Sequence, residues 1–186
     1  AFPIFSNIDI EKVVKSNSNY REWKRPDIKA IYKKVEVVFE IQLSTTFLSV
    51  IVDREHFYKT NQTYLLWIFK NFEIDDLKQR FTEKDVFYSN NRNAFVLDEE
   101  AIKLSVQNND LFLLCHYQKP KIENLKIDYD WCFEYVNFNK LTFDEVNYKI
   151  FYFDVSKEEE TLNNEILATQ KEIREKEIKE QQKAKE

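Results

Sequence analysis

Glycine is missing from the whole chain, and so is methionine. At the usual ~7% a chain of this length would hold about 13 glycines, so chance does not explain the gap. Abundant Lys, Asn, Ile, Phe and Tyr beside that gap point to a coding bias against GC-rich codons. A chain that opens at Ala1 with no methionine anywhere reads as a fragment or a processed product. Two cysteines, Cys115 and Cys132, are too few for a disulfide framework and fit a reducing compartment. Cys115-His116 with the lone Cys132 also falls short of the four ligands of a structural zinc site, so both thiols read as small buried hydrophobes. No apolar run nears the ~20 residues of a membrane span, and "AFPIFSNIDIEK" has no basic stretch ahead of an apolar one. The expectation is a soluble, cytoplasmic protein with no membrane partner. A net charge of −5 argues against coating nucleic acid by bulk electrostatics and leaves a local basic cleft open.

What is present suits a globular domain. Aromatic side chains make up 16% of the chain, well above what a disordered chain carries. The length allows one domain with a real core, or one domain and an appendage. "NIDIEKVVKS" predicts a first strand and "RPDIKAIY" a second. "VEVVFEIQLS" is the cleanest strand. Val35, Val37, Phe39, Ile41 and Leu43 fall on one face, and Glu36, Val38, Glu40, Gln42 and Ser44 on the other. "STTFLSVIVDREHFYKTN" changes to a helical period, capped by Ser44, Thr45 or Thr46, with Phe47, Ile51, Arg54 and Tyr58 in one stripe. "TYLLWIF" is a continuous apolar run, as expected of a strand covered on both faces and parallel to the one before the helix.

Residues 7 to 69 therefore read β-β-β-α-β within an α/β domain. Residues 1–75 make the core, 76–155 a β-rich extension of it, and 156–186 a charged helical tail. In the extension "DVFYSN", "NAFVL", "LFLLCHY", "WCFEYVNF" and "KIFYFD" read as short strands, and "LTFDEV" as a turn or helix. The tail carries a thin apolar stripe of Leu162, Ile166 and Ile173 without sustained heptads, a solvated extension more than a coiled coil.

If the hairpin turn centres on Lys33-Lys34, Asp27 stands directly opposite Glu40, with Cβ atoms ~5 Å apart on one face. Gln42 shares that face two residues on. Lys-Lys is a poor two-residue turn, and an odd-length loop would send the acids to opposite faces. Two unpaired carboxylates at ~4 Å repel by about 4 kcal/mol at an effective dielectric of 20. The pair therefore needs a cation, either Arg or Lys or a divalent metal held through carboxylates and water. "YREWKRPDIKAIYKK" is strongly basic, with Lys24, Arg25 and Lys29 next to the acids. It reads equally as a solvated strand edge or as a phosphate contact.

Pro26-Asp27, the hairpin, Glu40-Ile41-Gln42, then a helix and an apolar strand resemble the core of the PD-(D/E)xK nucleases. "VVFEIQLSTTFLSVIVDREHFY" followed by "YLLWIF" is similar to the nuclease-like domain of the competence protein CoiA and its bacterial relatives, over residues 7 to 72. The resemblance implies a PD-(D/E)xK nuclease-like fold: a mixed sheet with a β-rich extension and a terminal helix. It implies an endonuclease or exonuclease acting on DNA, with Asp27 and Glu40 holding Mg²⁺ or Mn²⁺. The third motif position, usually Lys, is Gln42, and a neutral amide can only orient the water or ligate the metal. The first core helix, which often supplies another Glu, has no counterpart before Ile8; Glu11 is the nearest substitute. The zinc ribbon of CoiA-type proteins is absent too. Arg54 would support the acidic site. Two readings stand beside catalysis: a nuclease-like scaffold that binds DNA without cutting, and a protein-interaction module that docks through residues 157–186.

Overall fold

The hairpin forms with the register that brings the acids level. Ile28–Tyr32 (β4) pairs antiparallel with Val35–Gln42 (β5), Ile28 opposite Phe39 and Tyr32 opposite Val35. Both turn residues take the left-handed conformation that a tight two-residue hairpin demands, Lys33 at φ 46° and Lys34 at φ 82°. Without glycine, side-chain-bearing residues fill every such position. Asn124 and Leu125, at φ 51° and 56°, do the same at a second hairpin tip. This computed structural model describes residues 2–183 apart from 20, 44, 45 and 76.

Phe5–Ile10 (β1) adds antiparallel to β4, with an irregularity between Ser6 and Asp9. The first strand ends at Ile10 because Glu11 turns to φ 50°. Val14–Lys15 (β2) leaves the main sheet and pairs with Trp23–Lys24 (β3). Beyond β5 the chain enters Leu48–Thr60 (α1) and returns as Tyr64–Phe69 (β6), parallel to β5 and buried at every residue. That is the crossover the apolar run predicts. Within α1, Ile51, Phe57 and Tyr58 are buried, but Phe47 precedes the first turn and is 83% exposed. The expected stripe therefore begins at Ile51. Of the three predicted caps, Ser44 and Thr45 lie outside the described residues. Thr46 does not cap, since the N-cap position falls on Phe47 and the Thr46 hydroxyl accepts from Gln42 instead.

In its described residues the extension holds five strands, and two helices stand among them. "DVFYSN" belongs to a helix, Phe81–Ser89 (α2), because Thr82, Glu83, Val86 and Phe87 repeat with helical spacing and are buried. The window was too short to show that period. Asn93–Val96 (β7) then runs parallel to β6. Glu99–Asn108 (α3) is a further helix, opened by the Asp98 side chain accepting from the Ala101 N–H at 2.8 Å and closed by Asn109 at φ 50°. Phe112–Glu123 (β8) and Lys126–Asn137 (β9) form a long hairpin on β7. "LTFDEV" supplies a strand, Thr142–Asp144 (β10), which pairs with Lys149–Phe151 (β11), and β11 touches β6. Val155–Lys183 (α4) is the expected terminal helix, with Val155 and Ile166 buried.

The main sheet runs β1-β4-β5-β6-β7-β8-β9. One face carries Val37, Phe39, Leu66, Phe95, Leu113 and Phe138. The other carries Val38, Trp67 and Phe69 beneath Ile51, Phe57 and Tyr58 of α1 and Val86 and Phe87 of α2. Period-two alternation assigns Glu40 and Gln42 to this second face, under the helices. No described helix is long and apolar enough to cross a membrane.

Candidate acidic site at the end of the hairpin

Asp27 sits one residue before β4, fixed between both neighbouring strands. Its Oδ2 accepts from the Ile41 N–H at 2.6 Å, and its carbonyl accepts from the Glu11 N–H at 3.0 Å. The buried ring of Pro26 directly precedes it. The next level of the ladder would set Asp27 against Glu40, and the bond to Ile41 holds its carboxylate there. Glu40 is 3% exposed. A buried carboxylate needs partners, and α1 provides two from positions one turn apart. Arg54 Nη1 and the Tyr58 hydroxyl at 3.1 Å both donate to Glu40 Oε1. Gln42, also buried, donates through Nε2 to Thr46 Oγ1 at 2.9 Å.

Burial pushes the Glu40 carboxyl up to about 7; Arg54 and Tyr58 pull it down, and the charge of Asp27 pushes it up again. The Tyr58 phenol is raised by its own burial and by Glu40, so it stays protonated and keeps donating. Of the two cations the sequence left open for this pair, Arg54 stands in place. Arg54 and Tyr58 reach Glu40 because positions 54 and 58 share one helical face. That spacing was legible, but the role of Tyr58 as donor was not.

The remaining predicted residues divide. Glu11 meets Asp27 through its backbone, while its side chain is exposed. Lys24 pairs with Asp53 and lies over the Phe57 ring. Lys29 pairs with Glu36 at 2.8 Å, an acid that also accepts from the Thr63 hydroxyl. Arg25 is exposed, with no hydrogen bond or ion pair among the described residues. Cys115 is fully buried, and burial pushes its thiol up; Cys132 is half-buried. Sequence reasoning also missed Thr82, on α2. Its hydroxyl accepts from the Thr46 N–H at 2.8 Å and donates to the Thr46 carbonyl at 3.0 Å, locking the loop after Gln42 against α2.

A family profile matches residues 5–156, from β1 to the start of α4. The chain belongs to the DUF6035 family, a domain of unknown function. No curated protein and no solved structure matches it.

In this DUF6035 domain no three His, Cys, Asp or Glu side chains converge on a metal position among the described residues. Two carboxylates and one amide oxygen are nonetheless a hard-oxygen donor set. Asp27 Oδ1 and Glu40 Oε2 take no hydrogen bond among the described residues. Neither is among the buried side-chain polar atoms without a partner in the described residues, which are Trp67 Nε1 and Gln79 Nε2. One open oxygen on each acid fits an ion that keeps several of its waters, as Mg²⁺ does.

Proposed function

We propose that this DUF6035 domain is a metal-dependent nuclease acting on DNA phosphodiesters at the Asp27–Glu40 pair. The observation that carries the reading is that pair: two acids level with each other at the end of the β4–β5 hairpin, each leaving one oxygen open, with Gln42 on the Glu40 face. The order of β1, β4, β5, α1 and β6, with the first three antiparallel and the last parallel to β5, supports it. With the small β2–β3 pair set aside, that order is the β-β-β-α-β succession read from residues 7 to 69.

Asp27, Glu40 and the amide oxygen of Gln42 would hold Mg²⁺ or Mn²⁺. When bound, such an ion polarises a phosphodiester and acidifies water. Arg54 and Tyr58 favour the ionised form of the buried Glu40 against the upward push of its burial. The Ile41 N–H fixes the Asp27 carboxylate. Gln42, held by Thr46, accepts no proton and orients water rather than activating it.

A second reading rests on the Arg54–Glu40 pair itself. Here the guanidinium is the permanent counterion, and the scaffold binds DNA without cutting it.

Titration with MnCl₂ followed by thermal unfolding separates the two. Under the first reading the melting temperature rises with Mn²⁺, because an ion that prefers the folded state stabilises it. Asp27→Asn and Glu40→Gln each remove that rise and the cleavage of labelled DNA. No rise in the wild type, with DNA binding intact in Glu40→Gln, overturns hydrolysis and leaves the binding scaffold.

A further inference from the structure

Phe47 and Phe81 are 83% and 81% exposed, an unusual state for phenylalanine, and the chain beside one is tied to the chain beside the other. Each follows or precedes a threonine of the reciprocal pair: Thr46 adjoins Phe47, Thr82 adjoins Phe81, and the two threonines exchange hydrogen bonds at 2.8 and 3.0 Å. Each ring stands on the first turn or cap of a rigid helix, α1 or α2. Both helices start where β5 and β6 end, on the sheet edge that holds Gln42. Two exposed cations flank this edge. Arg25 lies two residues before Asp27, and Lys70 directly follows β6; neither has an ion-pair partner among the described residues. Among the described acids nearby, Asp75 pairs with Lys78 at 3.2 Å, Glu83 of α2 pairs with Arg80, and Glu73 accepts from the Asp75 N–H at 3.0 Å.

We propose that Phe47 and Phe81 form a stacking platform for the unpaired bases of a single-stranded nucleic acid, with Arg25 and Lys70 on its phosphates. Every base has a π-face, so two flat rings on rigid supports take bases of any sequence, while free cations beside them track the backbone. This deepens the nuclease reading and rests on it for the purpose of the strand. It specifies the substrate as a single strand or a frayed end led across the Asp27–Glu40 pair. Exposed cations without ion-pair partners at the same sheet edge favour a phosphate polymer over a purely apolar protein partner.

The test is fluorescence anisotropy of a short fluorescein-labelled oligothymidine with the full chain in EDTA, so that no metal chemistry enters. Wild type binds it and prefers it to a blunt duplex. Phe47→Ala/Phe81→Ala weakens binding about tenfold or more, since stacking on an aromatic side chain contributes that much per base. The salt slope stays the same, because it counts phosphate contacts. Phe47→Trp/Phe81→Trp keeps the affinity, and Arg25→Ala/Lys70→Ala lowers the slope. Equal affinity of the double-alanine variant and wild type overturns the platform, as does failure of wild type to bind. If the alanines abolish only self-association in sedimentation, the rings belong to a protein interface and the proposal falls. A Mn²⁺ shift without these effects leaves the nuclease reading standing alone; these effects without a Mn²⁺ shift leave the platform standing alone.

Discussion

Arg54 reaches Glu40 from α1 and donates to the same oxygen, Oε1, that Tyr58 holds. Glu40 is buried and Arg54 only half-buried, so the two ends of this pair do not contribute alike. Removing the guanidinium strands a charge; removing the carboxylate leaves a cation that can turn to water.

Arg54→Ala should therefore cost more than Glu40→Gln. Breaking a buried pair from one side costs 3–5 kcal/mol in general, and the partial exposure of Arg54 reduces this to about 2 kcal/mol. In a chain of this size that is a fall of about 5 °C in melting temperature at pH 8. Adding Glu40→Gln to Arg54→Ala should recover most of it. An unchanged melting temperature in Arg54→Ala would show that the pair carries no stability.

The pH dependence has a definite sign. The Glu40 carboxyl ionises near 7 in the folded chain and near 4.5 when unfolded. Between those values the folded state binds more protons, so stability falls as pH rises from about 4.5 to 7 and levels off above. The full effect is about 3 kcal/mol at 1.36 kcal/mol per unit. Urea titrations of wild type and Glu40→Gln across this window should diverge, the variant lacking the acid-side gain. Parallel curves would show that Glu40 ionises near its ordinary value.

Asn93 is fully buried and uses both ends of its amide. Its Oδ1 accepts from the N–H groups of Tyr152 and Phe153, both at 3.0 Å, and its Nδ2 donates to the carbonyls of Asn91 and Phe153. It ties β7 to the segment entering α4. Asn93→Ala orphans buried backbone groups at ~1–3 kcal/mol each, so a loss of about 3 kcal/mol or more is expected in chemical denaturation. Asn93→Asp should lose a similar amount, since a carboxylate cannot donate to the two carbonyls.

Lys34→Gly should stabilise the protein. Lys34 at φ 82° carries a side chain where glycine fits without strain. Relief of roughly 1 kcal/mol in the left-handed region is partly offset by the greater freedom of glycine in the unfolded chain. The expected rise is about 1–3 °C by calorimetry. A fall would mean that the Lys33-Lys34 turn is held by its side chains.

Sequence patterning was most legible where one period ran long enough. The faces of β5, the helix after it and the buried strand β6 all follow from alternation or an unbroken apolar run. The Asp27–Glu40 register followed from a turn position alone, although the turn residues were poor ones. Lys33-Lys34 takes the required backbone because the strands impose it. Short windows failed: "DVFYSN" hid the end of a helix whose first buried positions lie outside it, and α3 went unread despite the Asp98 cap. The partner of Glu40 was visible only as a position, since a helical stripe gives direction and not distance. The Thr46–Thr82 exchange joins residues far apart in sequence, and no local pattern carries it.

Past Ile166 the terminal helix leaves its neighbours, and Leu167, Ile173 and Ile178 stand largely in solvent. At 1.5 Å per residue the stretch to Lys183 carries the chain about 25 Å outward. Whatever is joined at that tip, a dye or a surface tether, is held off at arm's length, so the DUF6035 domain comes with a built-in spacer.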